Sequence, residues 1–250
     1  MNGWRDVAAE VRRRQPLVHC LSAAVSMNIV ADGLLAAGAR PMMTETEDEA
    51  PAMNAVADAL LINLGTLSTD GARGIPATVS AAAGRGLPWV LDPTAVGLAP
   101  VRTALAATLL DRSPCIVRGN ASEILALAGA GRGGRGADST ASSFDARDAA
   151  AQLARRHGTV VAVSGEVDVI VGPETQVEIA LGTPLLTRLT GTGCLLGALC
   201  AAGAAVVDPL DAAVAATTWL NTAAEHAARR SVRPGSFRVF LLDALDEVAS

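Results

Sequence analysis

Thr190-Gly191-Thr192-Gly193-Cys194 leads directly into the apolar residues 195–207. Two glycines at the start of a helix let backbone N–H groups converge, and these groups bind an anion together with the positive end of the helix dipole. The tract therefore predicts a phosphate-binding turn at the start of a buried helix. The alternative is a glycine-rich turn that only begins a helix, and the tract by itself does not decide between the two.

Four short apolar runs earlier in the chain predict buried parallel strands. They are residues 60–63, 89–92, 115–118 and 160–164. Alanine-rich segments between and beside them predict helices over residues 50–59, 73–83 and 145–156. Apolar runs of this length are typical of a sheet that helices cover on both faces. Two further β-rich runs, residues 167–171 and 177–181, predict antiparallel strands at one edge of the sheet.

Each of the four apolar runs ends in a polar turn. The residues at these exits are Asn63, Asp92, Arg118 and Ser164. Ligands of open α/β sheets bind beyond the carboxyl ends of the parallel strands, so we expect an active site at this rim. Polar residues after a strand are also ordinary turn chemistry, and the prediction depends on the four exits together.

The amino-acid composition limits the chemistry of such a site. All 20 basic residues are arginine. The absence of lysine excludes a lysine-bearing phosphate loop, a site of the protein-kinase type and Schiff-base catalysis. The net charge of −5, without a long arginine-rich block, offers nothing for a nucleic-acid backbone to bind, so no nucleic-acid partner is expected.

The length and the hydrophobic content predict one domain over residues 1–250. Half of the residues are hydrophobic, which is enough for a single large α/β core. Residues 129–143, rich in Gly, Ala, Ser and Arg, predict a flexible loop inside this domain, because the α/β pattern resumes after them.

We expect a cytoplasmic protein without a membrane span. Charged residues interrupt the N-terminal segment before any apolar run, unlike a secretory signal. Residues 189–207 carry no charge, but the Thr/Gly turn leaves only residues 194–207 for a helix, which fits a buried core helix. The four cysteines and three histidines lack the paired spacing of a zinc site.

Two carboxylates and one arginine at the rim are candidate ligands of a magnesium nucleotide. Asp92 ends a strand, and Glu123 begins the helical pattern of residues 123–128. Mg²⁺ on a nucleotide takes one or two carboxylates and several waters, and Arg118 would neutralise a polyphosphate. Local roles are the alternatives. An acidic residue such as Glu123 stabilises a helix N-terminus by roughly 0.3–1 kcal/mol without a metal. Asp92 would then be a turn residue, and Arg118 would pair with Glu123.

Residues 16–242 resemble the hydroxyethylthiazole kinase family of the ribokinase-like superfamily. The tracts that carry the resemblance are, in order, Pro16-Leu17-Val18-His19, Met27-Asn28 with residues 34–43, residues 62–67, Leu91-Asp92-Pro93, residues 118–124, residues 134–139, residues 164–168, residues 190–194 and Pro234-Gly235-Ser236-Phe237. Cys194 is especially specific, because most ribokinase-like kinases have an aspartate base at that place. The resemblance implies a three-layer α/β/α fold, with a mostly parallel central sheet and an antiparallel edge.

The same resemblance implies an activity and a set of site residues. It implies transfer of the ATP γ-phosphate to the hydroxyethyl group of 4-methyl-5-(2-hydroxyethyl)thiazole in thiamine biosynthesis and salvage, with Mg²⁺, by a homotrimer whose thiazole pockets lie between subunits. The implied residues are Arg118, Ser164, Asn120 and Gly193 for ATP, Asp92 and Glu123 for Mg²⁺, Met43, Gly191 and Val25 for the thiazole, and Cys194 for orienting the alcohol or accepting its proton.

The sequence departs from the family pattern at two places, and other functions stay open. Ser164 stands where the family usually has threonine, which keeps the hydroxyl. Ala23-Ala24 stand where the family usually has an asparagine near the thiazole, a loss of about 1–3 kcal/mol if a ligand atom stays unpaired. The alternatives are a kinase of another heteroaromatic alcohol such as a hydroxymethylpyrimidine, a non-catalytic nucleotide-binding relative, and a repair dehydratase of hydrated nicotinamide nucleotides. For that dehydratase we expect aspartate at position 194.

Overall fold

Helices and strands alternate along the chain, which a computed structural model describes over residues 3–130 and 141–249. The helices are α1 Trp4–Arg14, α2 Met27–Ala36, α3 Ala50–Met53, α4 Thr69–Arg85, α5 Pro100–Leu110, α6 Ala121–Leu127, α7 Arg147–His157, α8 Thr192–Ala204, α9 Pro209–Arg230 and α10 Pro234–Glu247. The strands are β1 Leu17–Leu21, β2 Arg40–Met43, β3 Ala59–Asn63, β4 Trp89–Asp92, β5 Ile116–Asn120, β6 Val160–Ser164, β7 Asp168–Val171 and β8 Gln176–Ile179. A 3₁₀ helix covers Pro184–Arg188.

The strands form one eight-stranded sheet in the order β2-β1-β3-β4-β5-β6-β7-β8. The first six strands in this order, from β2 to β6 and including β1, run parallel. Strand β7 pairs antiparallel with β6, and β8 pairs antiparallel with β7. The predicted parallel sheet with an antiparallel edge is therefore confirmed. The carboxyl ends of β3, β4, β5 and β6 lie at one rim, as the polar exits predicted.

Helices cover both faces of the sheet, and each face has its own hydrophobic core. One core packs α1, α2, α8, α9 and α10 against the sheet, and the other packs α4, α5, α6 and α7 against the opposite face. Alanine dominates the buried positions of α8 and α9, which lets these helices approach the strands and each other closely. The result is the expected three-layer α/β/α fold. No helix in the described part of the chain is long and apolar enough to cross a membrane.

Several predicted boundaries of helices and strands are wrong, and strands β1 and β2 were not predicted. The helix predicted over residues 50–59 ends at Met53, and the side chain of the next residue, Asn54, bonds Thr78 O and His19. The strand predicted over residues 115–118 begins and ends later, as β5, and α8 ends at Ala204 instead of residue 207. The β-rich run over residues 177–181 forms β8, which ends at Ile179.

The two unpredicted strands lack a continuous apolar run. β1 contains a histidine and a cysteine, and β2 is the short edge strand Arg-Pro-Met-Met. Helices α9 and α10 were not predicted as separate elements either. The flexible loop predicted over residues 129–143 falls largely on residues 131–140, which lie outside the described residues.

Candidate active site

The turn at residues 190–194 begins helix α8 at the carboxyl rim of the sheet. Gly191 is the N-cap with φ 88°, and the Leu195 amide makes the first intrahelical bond, to Gly191 O, at 2.9 Å. The amides of Thr192, Gly193 and Cys194 precede that bond, so the helix itself supplies no acceptor for them. These residues are half-buried, whereas the helix is buried from Leu195 to Gly203. The turn therefore presents backbone donors at the surface of the rim, as predicted.

Both glycines of the turn are required by their surroundings. A methyl group on Gly191 would lie 2.7 Å from side-chain atoms of Ile29 and Ser26, and its φ of 88° is one that other residues rarely adopt. A methyl group on Gly193 would lie 2.8 Å from Nη2 and 2.9 Å from Cζ of Arg118. The second glycine thus makes room for a guanidinium directly against the turn.

Arg118 connects three of the predicted site residues. It is the middle residue of β5, and its Nη2 donates to Ser164 Oγ at 2.9 Å while its Nη1 lies 3.6 Å from Asp92 Oδ2. Burial opposes the charge of Arg118, but the carboxylates of Asp92 and Glu123 outweigh it and raise the pKa of the guanidinium. The buried Nε atom has no hydrogen-bond partner. A charged, partly unsatisfied guanidinium beside free amides is suited to a phosphate.

Asp92 ends β4 and is fully buried. Its Oδ2 accepts from Asn63 Nδ2 at 2.8 Å, and its Oδ1 accepts from Thr94 Oγ1 at 2.7 Å. Burial raises the pKa of Asp92, and the positive charge of Arg118 acts in the opposite direction. The pair with Arg118 holds this carboxylate beside the turn.

Glu123 is held by a capping box at the start of α6. Its Oε2 accepts from the Asn120 amide at 2.9 Å, the Asn120 side chain accepts from the Glu123 amide at 3.0 Å, and Oε1 accepts from the Ala95 amide at 2.8 Å. The local role considered from the sequence is thus real. Pairing of Arg118 with Glu123 is not what the structure shows, because the guanidinium bonds Ser164 and faces Asp92. Burial and the charge of Asp92 raise the pKa of Glu123 to about 7.

Cys194 lies on the first turn of α8, between the sheet and α2. Burial and the charge of Asp92 raise the pKa of its thiol, although hydrogen bonds with Ser26 and Asn63 and the charge of Arg118 lower it. Burial and the neighbouring carboxylate thus disfavour the thiolate form, which accepting a proton from the alcohol would require.

The residues predicted to contact the ring substrate occupy the same rim but are more open. Met43 is the half-buried last residue of the edge strand β2 and pairs in register with Cys20. Val25 lies in the turn between β1 and α2 and is 66% exposed. Its neighbour Ser26 packs against Gly191. The structure therefore places the turn that carries Val25 beside Gly191 and leaves the side chain of Val25 exposed.

Asp92 and Glu123 are two buried carboxylates near a single guanidinium, and ionisation of both would leave a surplus of negative charge. The charge of Asp92 raises the pKa of Glu123, so the two groups disfavour each other's ionisation. A divalent cation removes this conflict, and Mg²⁺ binds through one or two carboxylates while keeping several waters. The donor set at the ends of β4 and β5 therefore fits Mg²⁺.

Sequence reasoning missed Ser26 and gave Asn63 no specific role. Asn63 holds Asp92, because its Nδ2 donates to Asp92 Oδ2. Its role follows from strand register, since Asn63 pairs with Asp92 across β3 and β4. No sequence signal marks Ser26, because its position depends on the packing of α2 against Gly191.

Comparisons with known proteins agree with the geometry. The model of the "Hydroxyethylthiazole kinase family" matches residues 8–250. The hydroxyethylthiazole kinase of Kineococcus radiotolerans is 52% identical over 241 residues, which cover 96% of this chain and 88% of that protein. The structure of a hydroxyethylthiazole kinase protein from Pyrococcus horikoshii OT3 is similar, with a TM-score of 0.90, 36% identity and coverage of 98% of this chain and 92% of that chain.

A more distant structure shows the breadth of the fold. A ribokinase-like superfamily protein from Enterococcus faecalis V583 has a TM-score of 0.69 at 12% identity, covering 97% of this chain and 94% of that chain. At that identity the likeness concerns the fold alone, and it confirms the ribokinase-like architecture.

Proposed function

Because the chain belongs to the hydroxyethylthiazole kinase family, we propose that it transfers the γ-phosphate of ATP to the hydroxyl of 4-methyl-5-(2-hydroxyethyl)thiazole. This reaction places the protein in thiamine biosynthesis and salvage. The observation that carries the proposal is the position of Arg118 against Gly193, between the free amides of α8 and the carboxylate of Asp92. This arrangement gathers the charges that phosphoryl transfer requires.

The chain's own residues supply positioning and charge. The amides of Thr192, Gly193 and Cys194 would bind the oxygens of the terminal phosphate, and Arg118 with Ser164 would bind the polyphosphate. Asn120 would act through the capping box that fixes the start of α6. Because phosphoryl transfer depends on alignment more than on covalent chemistry, these contacts account for most of the catalysis expected.

Asp92 and Glu123 would hold Mg²⁺. When bound, this ion neutralises charge on the phosphate oxygens. The buried surplus of negative charge supports this assignment, and ATP is the co-substrate that would carry the metal.

The acceptor would lie against Met43, Val25 and Gly191, with its hydroxyl beside the thiol of Cys194. That thiol lies on the first turn of α8, next to the amides assigned to the phosphate. This position supports a role in aligning the hydroxyl with the phosphate. A cysteine at position 194 also argues against a repair dehydratase, for which aspartate is expected there.

We further propose a homotrimer with pockets between subunits. The exposed apolar side chain of Val25 and the position of Met43 on an edge strand support it, because a neighbouring subunit would cover both. Light scattering tests the assembly, and a monomer with full activity would exclude a shared pocket. A cytoplasmic location fits the use of ATP and the four free cysteines.

One assay tests the proposed reaction. Purified protein is incubated with Mg-ATP and either the thiazole alcohol or a hydroxymethylpyrimidine, and ADP and phosphorylated product are measured together. We expect equal amounts of ADP and thiazole phosphate. Product with the pyrimidine alone would support the second acceptor, and ATP binding without any product would indicate a non-catalytic relative. The choice of acceptor is the main question for this assay, because Ala23-Ala24 replace the asparagine that the family usually has near the thiazole.

A further inference from the structure

Asp168 is a buried carboxylate that the reaction described above does not use. It begins β7 and is 7% exposed. Its Oδ1 accepts from the Gly165 amide at 2.9 Å, and its Oδ2 accepts from Asn221 Nδ2 on α9 at 2.7 Å. Burial raises the pKa of Asp168, and these two hydrogen bonds lower it. Burying a carboxylate costs free energy, and its hydrogen bonds offset part of that cost. We therefore ask what the bond to the Gly165 amide achieves.

The turn between β6 and β7 is held from a second side as well. Ser143 is buried, and its Oγ donates to Val167 O. A methyl group on Gly165 would come within 2.7 Å of the Ser143 hydroxyl. Asp168 and Ser143 thus fix the two ends of the turn, at Gly165 and Val167. The backbone of this turn is therefore hydrogen-bonded by two side chains.

The residue immediately before this turn is Ser164, the hydrogen-bond partner of Arg118. The amide that Asp168 accepts from belongs to the peptide joining Ser164 to Gly165, so the carboxylate fixes the plane of that peptide. Ser164 Oγ in turn accepts from Arg118 Nη2 at 2.9 Å. Asn221 and Asp168 are therefore linked by hydrogen bonds to the Gly165 amide, and the covalent chain from Gly165 to Ser164 carries this link to the residue that bonds the guanidinium.

We propose that Asp168 is a positioning residue for the polyphosphate site, which it serves by fixing the Ser164–Gly165 peptide so that Ser164 and Arg118 face the nucleotide together. This inference rests on the proposed assignment of Ser164 and Arg118 to ATP. Asp168 itself touches no substrate. Asn221 sets the orientation of the carboxylate, because its amide holds the second oxygen.

A double-mutant cycle separates this role from simple stabilisation of the hairpin. ATP affinity is measured by calorimetry without acceptor for wild type, Asp168→Ala, Ser164→Ala and the double variant, and melting temperatures are recorded alongside. We expect Asp168→Ala to weaken ATP binding by about tenfold or more. The variant loses the bond between Asp168 and the Gly165 amide, so the peptide that positions Ser164 is no longer fixed. In the Ser164→Ala background the same change should have little further effect, because both act through one hydroxyl. Equal losses in the two backgrounds would overturn the proposal.

Two further variants sharpen the result. Asp168→Asn keeps an oxygen for the Gly165 amide, so we expect it to recover most of the affinity, and an affinity as low as that of Asp168→Ala would contradict the inference. Asp208→Asn is the matched control. Asp208 also accepts hydrogen bonds from backbone amides, but it does so at the exposed start of α9. It should bind ATP like wild type.

A variant that does not fold is replaced by a milder one. Should Asp168→Ala fail to fold, Asn221→Ala removes only one of the two bonds of the carboxylate. It should weaken ATP binding in the wild-type background and not in the Ser164→Ala background, and unchanged ATP affinity would contradict the inference. Failure of the proposed function looks different: wild-type protein would bind ATP and leave the thiazole alcohol unphosphorylated. Failure of the Asp168 inference is an Asp168→Ala protein that binds ATP like wild type.

Discussion

The guanidinium of Arg118 lies directly against Gly193, so that a methyl group on the glycine would be 2.8 Å from Nη2. This contact joins the middle of β5 to the first turn of α8. It explains why a glycine is needed at a helical position where alanine would otherwise be favoured. The most polar strand exit and the glycine tract are therefore two halves of one site.

Gly193→Ala should displace the guanidinium from the turn. We expect ATP affinity to fall by about tenfold or more, because charge-assisted hydrogen bonds to phosphate are lost. Calorimetric titration measures the change. Gly84→Ala is the control: Gly84 is near the end of α4 with no atom within 4 Å of an added methyl, so alanine should stabilise the helix by roughly 0.5–1 kcal/mol and leave ATP binding unchanged. Wild-type affinity in the Gly193 variant would argue against the site.

Arg118→Lys should also weaken ATP binding strongly, although it keeps the charge. An ammonium group cannot reach Ser164 and Asp92 together as the planar guanidinium does. We expect a loss of about tenfold or more in ATP affinity, together with a lower melting temperature, since a buried carboxylate is left poorly paired. Arg13→Lys provides the comparison, because Arg13 forms an exposed ion pair with Glu10. That variant should match wild type in both measurements.

Cys194→Ala should lower kcat and leave the KM for ATP nearly unchanged. In the proposed reaction the thiol aligns the acceptor hydroxyl, and misalignment costs on the order of 100-fold in rate. Cys200→Ala is the matched control further along α8, where the thiol is fully buried away from the rim. It should reduce stability and preserve turnover. A Cys194 variant with nearly full turnover would remove any catalytic part for this residue.

The buried His19 should make stability depend on pH. Its Nδ1 lies 2.8 Å from Asn54 Oδ1, and because Asn54 Nδ2 donates to Thr78 O, the ring donates from Nδ1. Burial lowers the pKa of His19. The unfolded chain therefore takes up a proton at higher pH than the folded chain, and the free energy of unfolding falls as pH drops below about 6.5.

Denaturant unfolding of wild type and His19→Gln checks this pH dependence. The stability difference between the two proteins should be largest at pH 7 to 8 and should shrink toward pH 5, since only the wild type loses the contribution of a neutral ring. A difference that stays constant or grows on acidification would show that the histidine does not titrate as its burial implies.

The sequence predicted those features that depend on local pattern, and missed those that depend on packing. The parallel strands were visible as apolar runs, and the start of α8 was visible as two glycines before an apolar helix. Phosphate binding at that turn stays a prediction. Glu123 shows the limit of such reasoning: its carboxylate both caps α6 and faces Asp92, and the pattern allowed only one role at a time. Strand β1 was missed because His19 interrupts its apolar run, and only the buried partners of that ring explain it.

The position of the terminal phosphate tests the central claim most directly. A crystal structure with a non-hydrolysable ATP analogue, Mg²⁺ and the thiazole alcohol would show it. The account predicts the γ-phosphate on the amides of Thr192, Gly193 and Cys194, with the Arg118 guanidinium beside it and the alcohol oxygen about 3–3.5 Å from the phosphorus. A nucleotide bound elsewhere, with its phosphates turned away from residues 190–194, would contradict the account.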